Sequence, residues 1–296
     1  MASTTNERVF VLGATGNIGS KVVTELLAKN IAVTVYVRDQ DKAAKVFANH
    51  TGSLTIVEGD YDDLSPMEKA LPGHTRMFLM VYGHTRMVAT KTKIATLAFA
   101  AGVKQIVDLS CTTFNASWRN NAISQVHLDA EEAMLKIPNR GYVVALRPSR
   151  FMSNMVYLTP SGFTQFEDFL EPDSPQSWIS PNDIADVAAV VLAGNMEDHE
   201  DSAYELTSQV ATPTELAEAL THAAGRTITY KQVTPLERFN TLKVAMANLF
   251  PISAIYAFAS MIEINPHVSL GISILLGREP ESLDAYFARN KHALTV

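Results

Sequence analysis

The sequence has few cysteines and few long apolar segments, which secreted proteins, metal proteins with cysteine ligands and membrane proteins depend on. Its single cysteine, Cys111, excludes an internal disulfide and a cysteine-based metal site. A reducing compartment fits this composition, and we expect a cytoplasmic protein. Residues 1–8 are polar and lack the apolar core of a signal peptide. The most apolar segment, residues 244–262, is interrupted by Pro251 and polar residues, so we expect a buried helix, a pocket lid or a dimer face there rather than a membrane span.

Positive charge is also scarce. The chain has 24 Lys and Arg residues against 31 Asp and Glu residues, a formal net charge of −7. This balance argues against a nucleic acid as the main partner. With 296 residues and 47% hydrophobic residues, the chain is long enough to bury a full core in one large α/β domain, with or without a small lobe.

The N-terminal segment joins a strand pattern to a glycine-rich turn and a helix pattern. Apolar residues 9–12 lead directly into Gly-Ala-Thr-Gly-Asn-Ile-Gly at positions 13–19. Glycine permits φ > 0 in a tight turn and lets backbone N–H groups approach a phosphate. We therefore predict a dinucleotide phosphate loop here, with a ligand-free turn as the alternative. The residues that form the loop are Gly13, Thr15, Gly16, Asn17 and Ile18.

Strand and helix patterns alternate through the first half of the chain. Strands are predicted at residues 9–12, 32–37, 54–58, 75–80, 105–109 and 142–147. Helices are predicted between them, at residues 18–29, 40–49, 65–71, 86–101 and 122–136. Strands separated by helices of this length form parallel βαβ units with right-handed crossovers. The predicted fold class is α/β, a Rossmann-type doubly wound parallel sheet with a small C-terminal α/β substrate lobe.

The alternation weakens after residue 151. Helices are predicted at residues 183–193 and 213–224, short strands at residues 203–206 and 227–232, and apolar helices after that. We assign residues 1–155 to the dinucleotide-binding domain, to which residues 178–210 return. Residues 156–296 are assigned mainly to the substrate-binding lobe.

The end of the second strand indicates which dinucleotide is bound. Arg38 follows the apolar strand residues directly, and Lys42 lies one helical turn further on. An arginine here accommodates the 2′-phosphate of NADP(H), whereas an acidic residue binds the ribose 2′-hydroxyl of NAD. Arg38 favours NADP(H), although the neighbouring Asp39 keeps NAD open.

The end of the third strand has two interpretations. In a Rossmann fold this turn lies beside the adenine ring, where Asp60 would accept a hydrogen bond from the exocyclic amine and Tyr61 would pack near the base. In the other interpretation, Asp60 only stabilises its own turn and caps the next helix. The sequence does not decide between them.

The fourth and fifth strands end in polar residues at the edge where open α/β sheets bind ligands. Val81 and Tyr82 follow the fourth strand and are assigned to the cofactor, and His84 is assigned to the substrate. Ser110 follows the fifth strand as a hydrogen-bonding group next to the nicotinamide or the substrate. We do not expect Cys111 to be a nucleophile, because nothing in the local sequence would lower its pKa.

Several motifs together resemble the NmrA-like branch of the atypical short-chain dehydrogenases. They are the glycine motif at 13–19, Val-Arg-Asp at 37–39, Glu-Gly-Asp-Tyr at 58–61, Leu-Arg-Pro-Ser-Arg-Phe-Met-Ser-Asn at 146–154, Ile-Ser-Pro-Asn-Asp-Ile-Ala-Asp at 179–186 and Gly-Arg-Glu-Pro-Glu-Ser-Leu-Asp-Ala-Tyr-Phe at 277–287. The resemblance covers nearly the whole chain. It implies an NADPH-dependent quinone or enone reductase, an imine reductase of secondary metabolism, or a redox-sensing regulator that binds the dinucleotide without turnover.

The Tyr-x-x-x-Lys site of orthodox short-chain dehydrogenases is missing. At the matching place, His127 takes the tyrosine-like position and Glu131 the lysine-like one, four residues further along the same helix face. We predict that His127 supplies the proton, that Ser110 assists, and that Glu131 raises the pKa of His127 and orients its ring. His127 as a merely polar residue is the alternative, and His84 is the second candidate donor.

The resemblance also locates the wall of the site. In this family the segment after the sixth strand turns back over the nicotinamide, so Pro148 and Phe151 are assigned to the cofactor wall. An apolar substrate pocket is predicted beyond them, and the polar loop 118–121 is placed at its rim. The residues assigned to the substrate there are Trp118, Met152, Met155 and Tyr157.

The sequence therefore predicts an NADPH-dependent reductase of an apolar, ring-containing quinone, enone or imine. Two other functions remain open. A non-catalytic NADP(H)-sensing regulator would expose its apolar C-terminal helices to a protein partner, whereas a reductase would bury them around a pocket. A redox-neutral isomerase or cyclisation catalyst is the third possibility. A homodimer through surface helices is common in such folds and is also left open.

Overall fold

A computed structural model describes residues 7–50, 52–112, 119–157 and 162–294. The chain forms twelve short strands within the described ranges, and those in the middle of the central sheet are buried almost throughout. The strands are β1 (Arg8–Leu12), β2 (Ala32–Val37), β3 (Leu54–Glu58), β4 (Arg76–Leu79), β5 (Gln105–Leu109), β6 (Tyr142–Pro148), β7 (Arg150–Phe151), β8 (Gln165–Asp168), β9 (Gln176–Ile179), β10 (Ala203–Leu206), β11 (Gln209–Ala211) and β12 (Thr229–Gln232).

Helices connect most of these strands. They are α1 (Asn17–Ala28), α2 (Gln40–Val46), α3 (Ser65–Ala70), α4 (Met87–Ala100), α5 (Ala122–Leu135), α6 (Asn154–Tyr157), α7 (Pro181–Ala193), α8 (Pro213–Ala224), α9 (Pro235–Met246), α10 (Ile252–Ser260), α11 (Gly271–Leu276), α12 (Leu283–Arg289) and α13 (Lys291–Leu294). No helix in the described ranges is both long enough and apolar enough to span a bilayer.

The central sheet has seven parallel strands in the order β10-β6-β5-β4-β1-β2-β3. The strand order reverses between β1 and β4. The connections that follow these two strands therefore run in opposite directions and leave a crevice between the carboxyl ends of the strands. The glycine motif follows β1 at this reversal point. The predicted Rossmann-type, doubly wound α/β fold is confirmed.

Both faces of the sheet are covered by helices. One apolar cluster joins the sheet to α1, α2 and α7 through residues such as Val22, Phe47 and Val187. The other joins the opposite face to α3, α4 and α5 through residues such as Met67 and Ile94. Because helices bury both faces, the strands read as continuous apolar runs rather than alternating ones.

A third apolar cluster lies in the C-terminal part of the chain. Met152, Trp178, Leu220 and Phe287 belong to it, together with residues of α8 and α12. Two small sheets frame this cluster, one with the order β11-β9-β7 and one that pairs β8 with β12. The division of the chain at residue 155 into two domains stays a prediction.

A buried carboxylate ties two of the family-like motifs together. Asp183, on α7, is fully buried and accepts hydrogen bonds from the Ser208 hydroxyl at 2.7 Å and the Glu281 backbone N–H at 2.8 Å. Its other oxygen lies 2.8 Å from the Arg278 guanidinium. The segments 179–186 and 277–287 therefore meet, and they hold the C-terminal segment against the sheet.

Candidate dinucleotide and substrate site

The β1–α1 turn has the geometry of a phosphate loop. Gly13 has φ = +68°, and a Cβ there would collide with the Met80 side chain. At Gly19 a Cβ would strike the Gly13 backbone, so α1 packs closely against the turn. Gly16 is the N-cap of α1, and no described side chain caps this end and no acidic residue lies in its first turn. The first N–H groups of α1 are thus available to an anion.

Other loop residues differ in exposure. Asn17 is exposed and Thr15 is half-buried at the turn, which leaves both side chains within reach of a ligand. Ile18 is 5% exposed and packs into the core below the sheet. Its side chain therefore fixes the helix, and only its backbone can serve a phosphate.

Arg38 and Asp39 have separate roles at the end of β2. Asp39 is the N-cap of α2, and its Oδ1 accepts a hydrogen bond from the Lys42 backbone N–H at 2.8 Å. Arg38 is exposed, and its guanidinium has no ion pair or hydrogen bond with any described residue. Because Asp39 is occupied as a cap, the arginine is the group left free for a ligand at this position.

Asp60 is engaged in its own turn. Its Oδ1 accepts hydrogen bonds from the backbone N–H groups of Asp62 and Asp63 at 2.8 and 3.0 Å. These bonds hold the pKa of the exposed Asp60 carboxyl below its usual value. The turn-stabilising role is therefore present in the structure, and an additional role toward adenine stays a prediction.

Tyr61 links this turn to the end of β4. Its hydroxyl donates to the Met80 carbonyl at 3.2 Å. Burial raises the pKa of Tyr61 to about 12, and the nearby Arg38 partly opposes that rise. Tyr61, Val81, Tyr82 and Arg86 line a cavity of about 130 Å³. The predicted cofactor residues Tyr61, Val81 and Tyr82 thus share one small cavity beside Arg38.

The loop after β4 contacts the C-terminal helices. Val81 is buried, whereas Tyr82 is 71% exposed and packs edge-on against Phe250 with ring centroids 6.4 Å apart. His84 Nε2 lies 2.9 Å from the Ala122 carbonyl at the start of α5. Because a carbonyl oxygen only accepts hydrogen bonds, Nε2 carries the proton and donates its hydrogen bond to Ala122 rather than to a ligand. This bond makes His84 a link between two loops in the structure.

Ser110 belongs to a charged network at the carboxyl ends of β5 and β6. Its hydroxyl donates to Glu131 Oε1 on α5. Arg147, on β6, binds the same carboxylate through two nitrogens, at 3.1 and 2.6 Å, and lies 3.6 Å from Glu205. The bidentate arginine fixes the orientation of the Glu131 carboxylate. The only hydrogen of the Ser110 hydroxyl is therefore directed at Glu131 rather than at a ligand.

A buried ion pair lies beneath this network. Lys91, on α4, is fully buried and donates to Asp108 and, at 2.8 Å, to the Leu109 carbonyl. Burial raises the pKa of Asp108, and the Lys91 ammonium opposes that rise. The pair holds α4 against β5, directly below Ser110 and next to His127.

The predicted effect of Glu131 on His127 is wrong. Glu131 bonds Ser110 and Arg147 instead of His127. Burial is the main cause that lowers the pKa of His127 to about 3, and Lys91 and His84 lower it further. His127 Nδ1 is buried without a hydrogen-bond partner among the described residues. The side chain is therefore a neutral imidazole at pH 7 rather than the imidazolium acid that was predicted.

The low pKa of His127 has a measurable consequence for stability. The unfolded chain binds a proton at His127 below pH 6.5, whereas the folded protein does so only near pH 3. As the pH falls through this window, the difference in proton binding at His127 lowers the free energy of unfolding by up to about 1.4 kcal/mol per pH unit. We expect His127→Phe to lose less stability than the wild type between pH 6.5 and pH 4 in urea unfolding.

Urea unfolding of both proteins above pH 7.5 is the control. His127 is then neutral in the folded and the unfolded chain, so the difference in stability between His127→Phe and the wild type should stop changing with pH. A constant difference across the whole range would mean that His127 titrates normally in the folded protein.

Met152 lies in the apolar core of the structure, and its assignment to the substrate stays a prediction. Its side chain is 0% exposed because it packs in the third apolar cluster with Trp178 and Leu220. Met155 packs partly buried against the same cluster. Pro148 is buried at the end of β6, and Phe151 is half-buried against the sheet core. Trp118 and the Tyr157 side chain lie outside the described residues.

Cys111 behaves as the sequence predicts. Burial raises the pKa of its thiol to about 11 despite a hydrogen bond that involves Ser124. A thiol with this pKa is protonated at neutral pH and is a poor nucleophile.

The apolar C-terminal helices are only partly covered. In α10 the alanines and Ile255 are buried, whereas Tyr256 is 63% exposed. Every side chain of α9 is at least partly exposed, and Val244 is 89% exposed. Ile274, on α11, is 82% exposed. These side chains therefore do not form the wall of a closed pocket in the structure.

Sequence reasoning missed Lys91 and Arg147. Each is a charged residue in an otherwise apolar position: Lys91 shares the buried face of α4 with Met87 and Ile94, and Arg147 ends an apolar strand. A charge on a buried face signals a buried partner, so this signal was available. Neither partner, Asp108 or Glu131, is identifiable from the sequence.

The sheet order and the glycine turn at its reversal point define a Rossmann-type fold. The NmrA-like family model matches residues 5–294, so the chain belongs to the NmrA-like family. The family resemblance predicted from the motifs is confirmed.

The proteins that are similar to this chain carry names of different functions. The chain is 29% identical over 230 residues to an NAD(P)H azoreductase of Xenophilus azovorans, covering 76% of this chain and 77% of that protein. An NADPH-dependent quinone oxidoreductase of Escherichia coli, solved with NADPH, has a TM-score of 0.76 at 23% identity and covers 95% of this chain and 99% of that one. A negative transcriptional regulator, NmrA, solved with NADP, has a TM-score of 0.73 at 15% identity, covering 95% and 94%. The two solved structures support the fold alone.

Proposed function

We propose that this protein is an NADPH-dependent reductase of an apolar, ring-containing quinone, enone or imine. The observation that carries the proposal is the free guanidinium of Arg38 beside an Asp39 that is occupied as a helix cap. Membership in a family that includes NAD(P)H reductases supports it.

The residues at the reversal point of the sheet fit a dinucleotide. The uncapped N-terminus of α1 and the turn Gly13–Gly16 would hold the pyrophosphate, and Arg38 would bind the 2′-phosphate. Tyr61 and Tyr82 line the same cavity, and we propose that both contact the adenosine there. When bound, NADPH supplies hydride, which is chemistry of the cofactor itself.

The polar residues near β5 would orient ligands rather than act as acids. Ser110, with its hydrogen directed at Glu131, offers lone pairs to a donor on the cofactor or substrate. His127 remains our candidate for contact with the substrate, as a neutral imidazole. A reductase built this way suits substrates that need little acid assistance, which favours a quinone, an activated C=C bond or an imine over a plain ketone.

The test is NADPH oxidation, followed by absorbance, against a panel of quinones, enones, cyclic imines and simple ketones, with NADH in parallel. We expect turnover with at least one of the first three classes, none with the ketones, and a preference for NADPH. Tight NADPH binding with no oxidation by any panel member would contradict the reductase.

A second candidate is a non-catalytic NADP(H)-sensing regulator. The exposed apolar residues of α9, α10 and α11 favour it, because they offer a surface for a protein partner. Such a protein should discriminate between oxidised and reduced dinucleotide in binding titrations while consuming neither.

A further inference from the structure

Two arginines outside the central sheet contact the same carboxylate. Arg150 starts β7, and its Nη1 lies 3.4 Å from Oδ2 of Asp168, the last residue of β8. Arg238 lies near the start of α9, and its Nε is 3.8 Å from the other oxygen, Asp168 Oδ1. Both guanidinium groups therefore face one carboxylate, and Arg150 and Arg238 are here called the arginine pair.

Neither member of the arginine pair is well bonded to this carboxylate. Asp168 Oδ1 accepts a hydrogen bond from the Phe169 backbone N–H at 2.8 Å, and Arg238 Nε is buried without a hydrogen bond among the described residues. The bond from Arg150 to Asp168 is 3.4 Å long, whereas a charge-assisted N–H···O bond is about 2.7–2.9 Å. Because a guanidinium has five N–H donors, most donors of the arginine pair are unused within the described part of the chain.

The arginine pair is accessible, and the carboxylate is much less so. The exposed fraction of the side chain is 34% for Arg150 and 26% for Arg238, but 12% for Asp168. The guanidinium of Arg150 lies over the Trp178 ring, with Cζ 5.5 Å from the ring centroid. A guanidinium that stacks on an aromatic ring keeps the N–H donors in its own plane free for an oxyanion. A ligand that approaches from solvent therefore meets N–H donors rather than the carboxylate.

The charges of this cluster do not balance. Two guanidinium groups face one carboxylate, and Glu171, which is exposed, forms no ion pair with either arginine. The Tyr230 hydroxyl donates to the Asp168 backbone carbonyl at 3.0 Å. Burial raises the pKa of Tyr230 to about 12, and nearby Asp168 raises it further, so this phenol stays neutral and does not compensate the excess charge. One anionic group would make the cluster neutral.

The arginine pair lies on the ligand-binding side of the sheet. Arg150 follows two residues after Pro148, at which β6 ends, and open α/β sheets bind ligands outside the carboxyl ends of their strands. Pairing of β7 with β9 holds Arg150 opposite Trp178, so its position is fixed by backbone hydrogen bonds. The arginine pair is thus next to Pro148 and Phe151, the residues assigned to the cofactor wall.

We propose that Arg150 and Arg238 bind an anionic group of the substrate, a carboxylate or a phosphate. The proposal rests on the proposed reductase and narrows its substrate class to a ring-containing compound with one acidic group. Carboxylate and phosphate share the required chemistry, because both present two oxygens to the parallel N–H donors of a guanidinium. The arginine pair holds the substrate and takes no part in the transfer of hydride.

The experiment measures binding rather than turnover. Calorimetric titration at pH 7 compares 2-naphthoate with 2-naphthamide, which has the same ring system and no charge. Saturating NADP⁺ is present, so that the dinucleotide rather than the probe occupies Arg38 and the glycine turn. We expect the wild type to bind 2-naphthoate at least about 10-fold more tightly than the amide, in line with a charge-assisted hydrogen bond.

A second titration uses 2-naphthyl phosphate and distinguishes the two oxyanions. A preference over the amide for only one of the two anions identifies that anion as the group that the substrate carries. Equal affinities for both anions and for the amide would overturn the proposal.

The variants Arg150→Gln and Arg238→Gln each remove one charge. We expect each to lose the 10-fold preference for the anion, while its affinity for 2-naphthamide changes less than about 2-fold. Lys243→Gln removes an exposed charge from the same helix as Arg238, is the matched control and should keep the preference. If both arginine variants keep the preference, or lose affinity equally for anion and amide, the arginine pair is not the anion site.

Arg238→Lys covers the case in which Arg238→Gln does not fold. It keeps the charge and the apolar stem, but an ammonium cannot make two parallel hydrogen bonds, so the preference should fall at least about 3-fold. The two proposals also fail separately. The anion preference is a binding result that stands without turnover, whereas the reductase fails when no member of the substrate panel oxidises NADPH.

Discussion

Replacing Arg38 with alanine is expected to weaken NADPH binding about 10- to 100-fold and to leave NADH binding nearly unchanged. A hydrogen bond to a charged group is worth about 1.5–3 kcal/mol, and only NADPH carries the 2′-phosphate that this guanidinium would meet. Arg38 is exposed and has no partner among the described residues, so its removal should not disturb the fold. Fluorescence titration of both dinucleotides measures the effect.

Lys45→Ala is the control for this experiment. Lys45 is exposed on α2, so its removal lowers the local positive charge by the same amount. It should weaken both dinucleotides little. If Arg38→Ala weakens NADPH and NADH equally, Arg38 is not the 2′-phosphate ligand.

Replacing Lys91 with methionine is expected to destabilise the folded protein severely. The substitution leaves Asp108 buried without its cation and the Leu109 carbonyl without its donor. Breaking a buried ion pair by deleting one partner costs about 3–5 kcal/mol. Urea unfolding at pH 7 should show this as a lower midpoint with an unchanged slope.

Two further variants test whether the loss of stability comes from breaking the Lys91–Asp108 ion pair. Lys93→Met changes an exposed lysine of the same helix and should cost less than about 0.5 kcal/mol. The double variant Lys91→Met, Asp108→Leu removes both charges and should recover most of the loss, because no unpaired charge is left. A single Lys91→Met that is as stable as the wild type would mean that the charge of Lys91 is not needed there.

Most of the parallel sheet is predictable from the sequence because its signals are local. The strands at 32–37, 54–58, 105–109 and 203–206 are observed with the predicted bounds. Strands β2 and β5 are buried almost throughout, and burial on both faces makes such strands easy to recognise in the sequence. The capping box of Thr212 and Glu215 fixes the start of α8 for the same reason.

Strands β7, β8, β9 and β11 were not predicted. Strands β8 and β9 have four residues each, too few for a period to be visible. Gln176–Ile179 becomes a strand because β7 and β11 lie on either side of it, and this depends on the path of the chain. The prediction of only a helix, at residues 183–193, was therefore incomplete: the helix is observed from Pro181, and strand β9 precedes it.

The sequence by itself determined the fold and where the glycine turn and Arg38 lie, because glycine turns and apolar periodicity act within a few residues. Tertiary structure decided what the polar groups do. Whether Asp39 serves a ribose or a helix depends on its actual hydrogen bond, and whether Glu131 serves His127 or Arg147 depends on how α5 packs on β6. Glu263 meets Ser177 across 86 residues of chain, and no local pattern encodes such a contact.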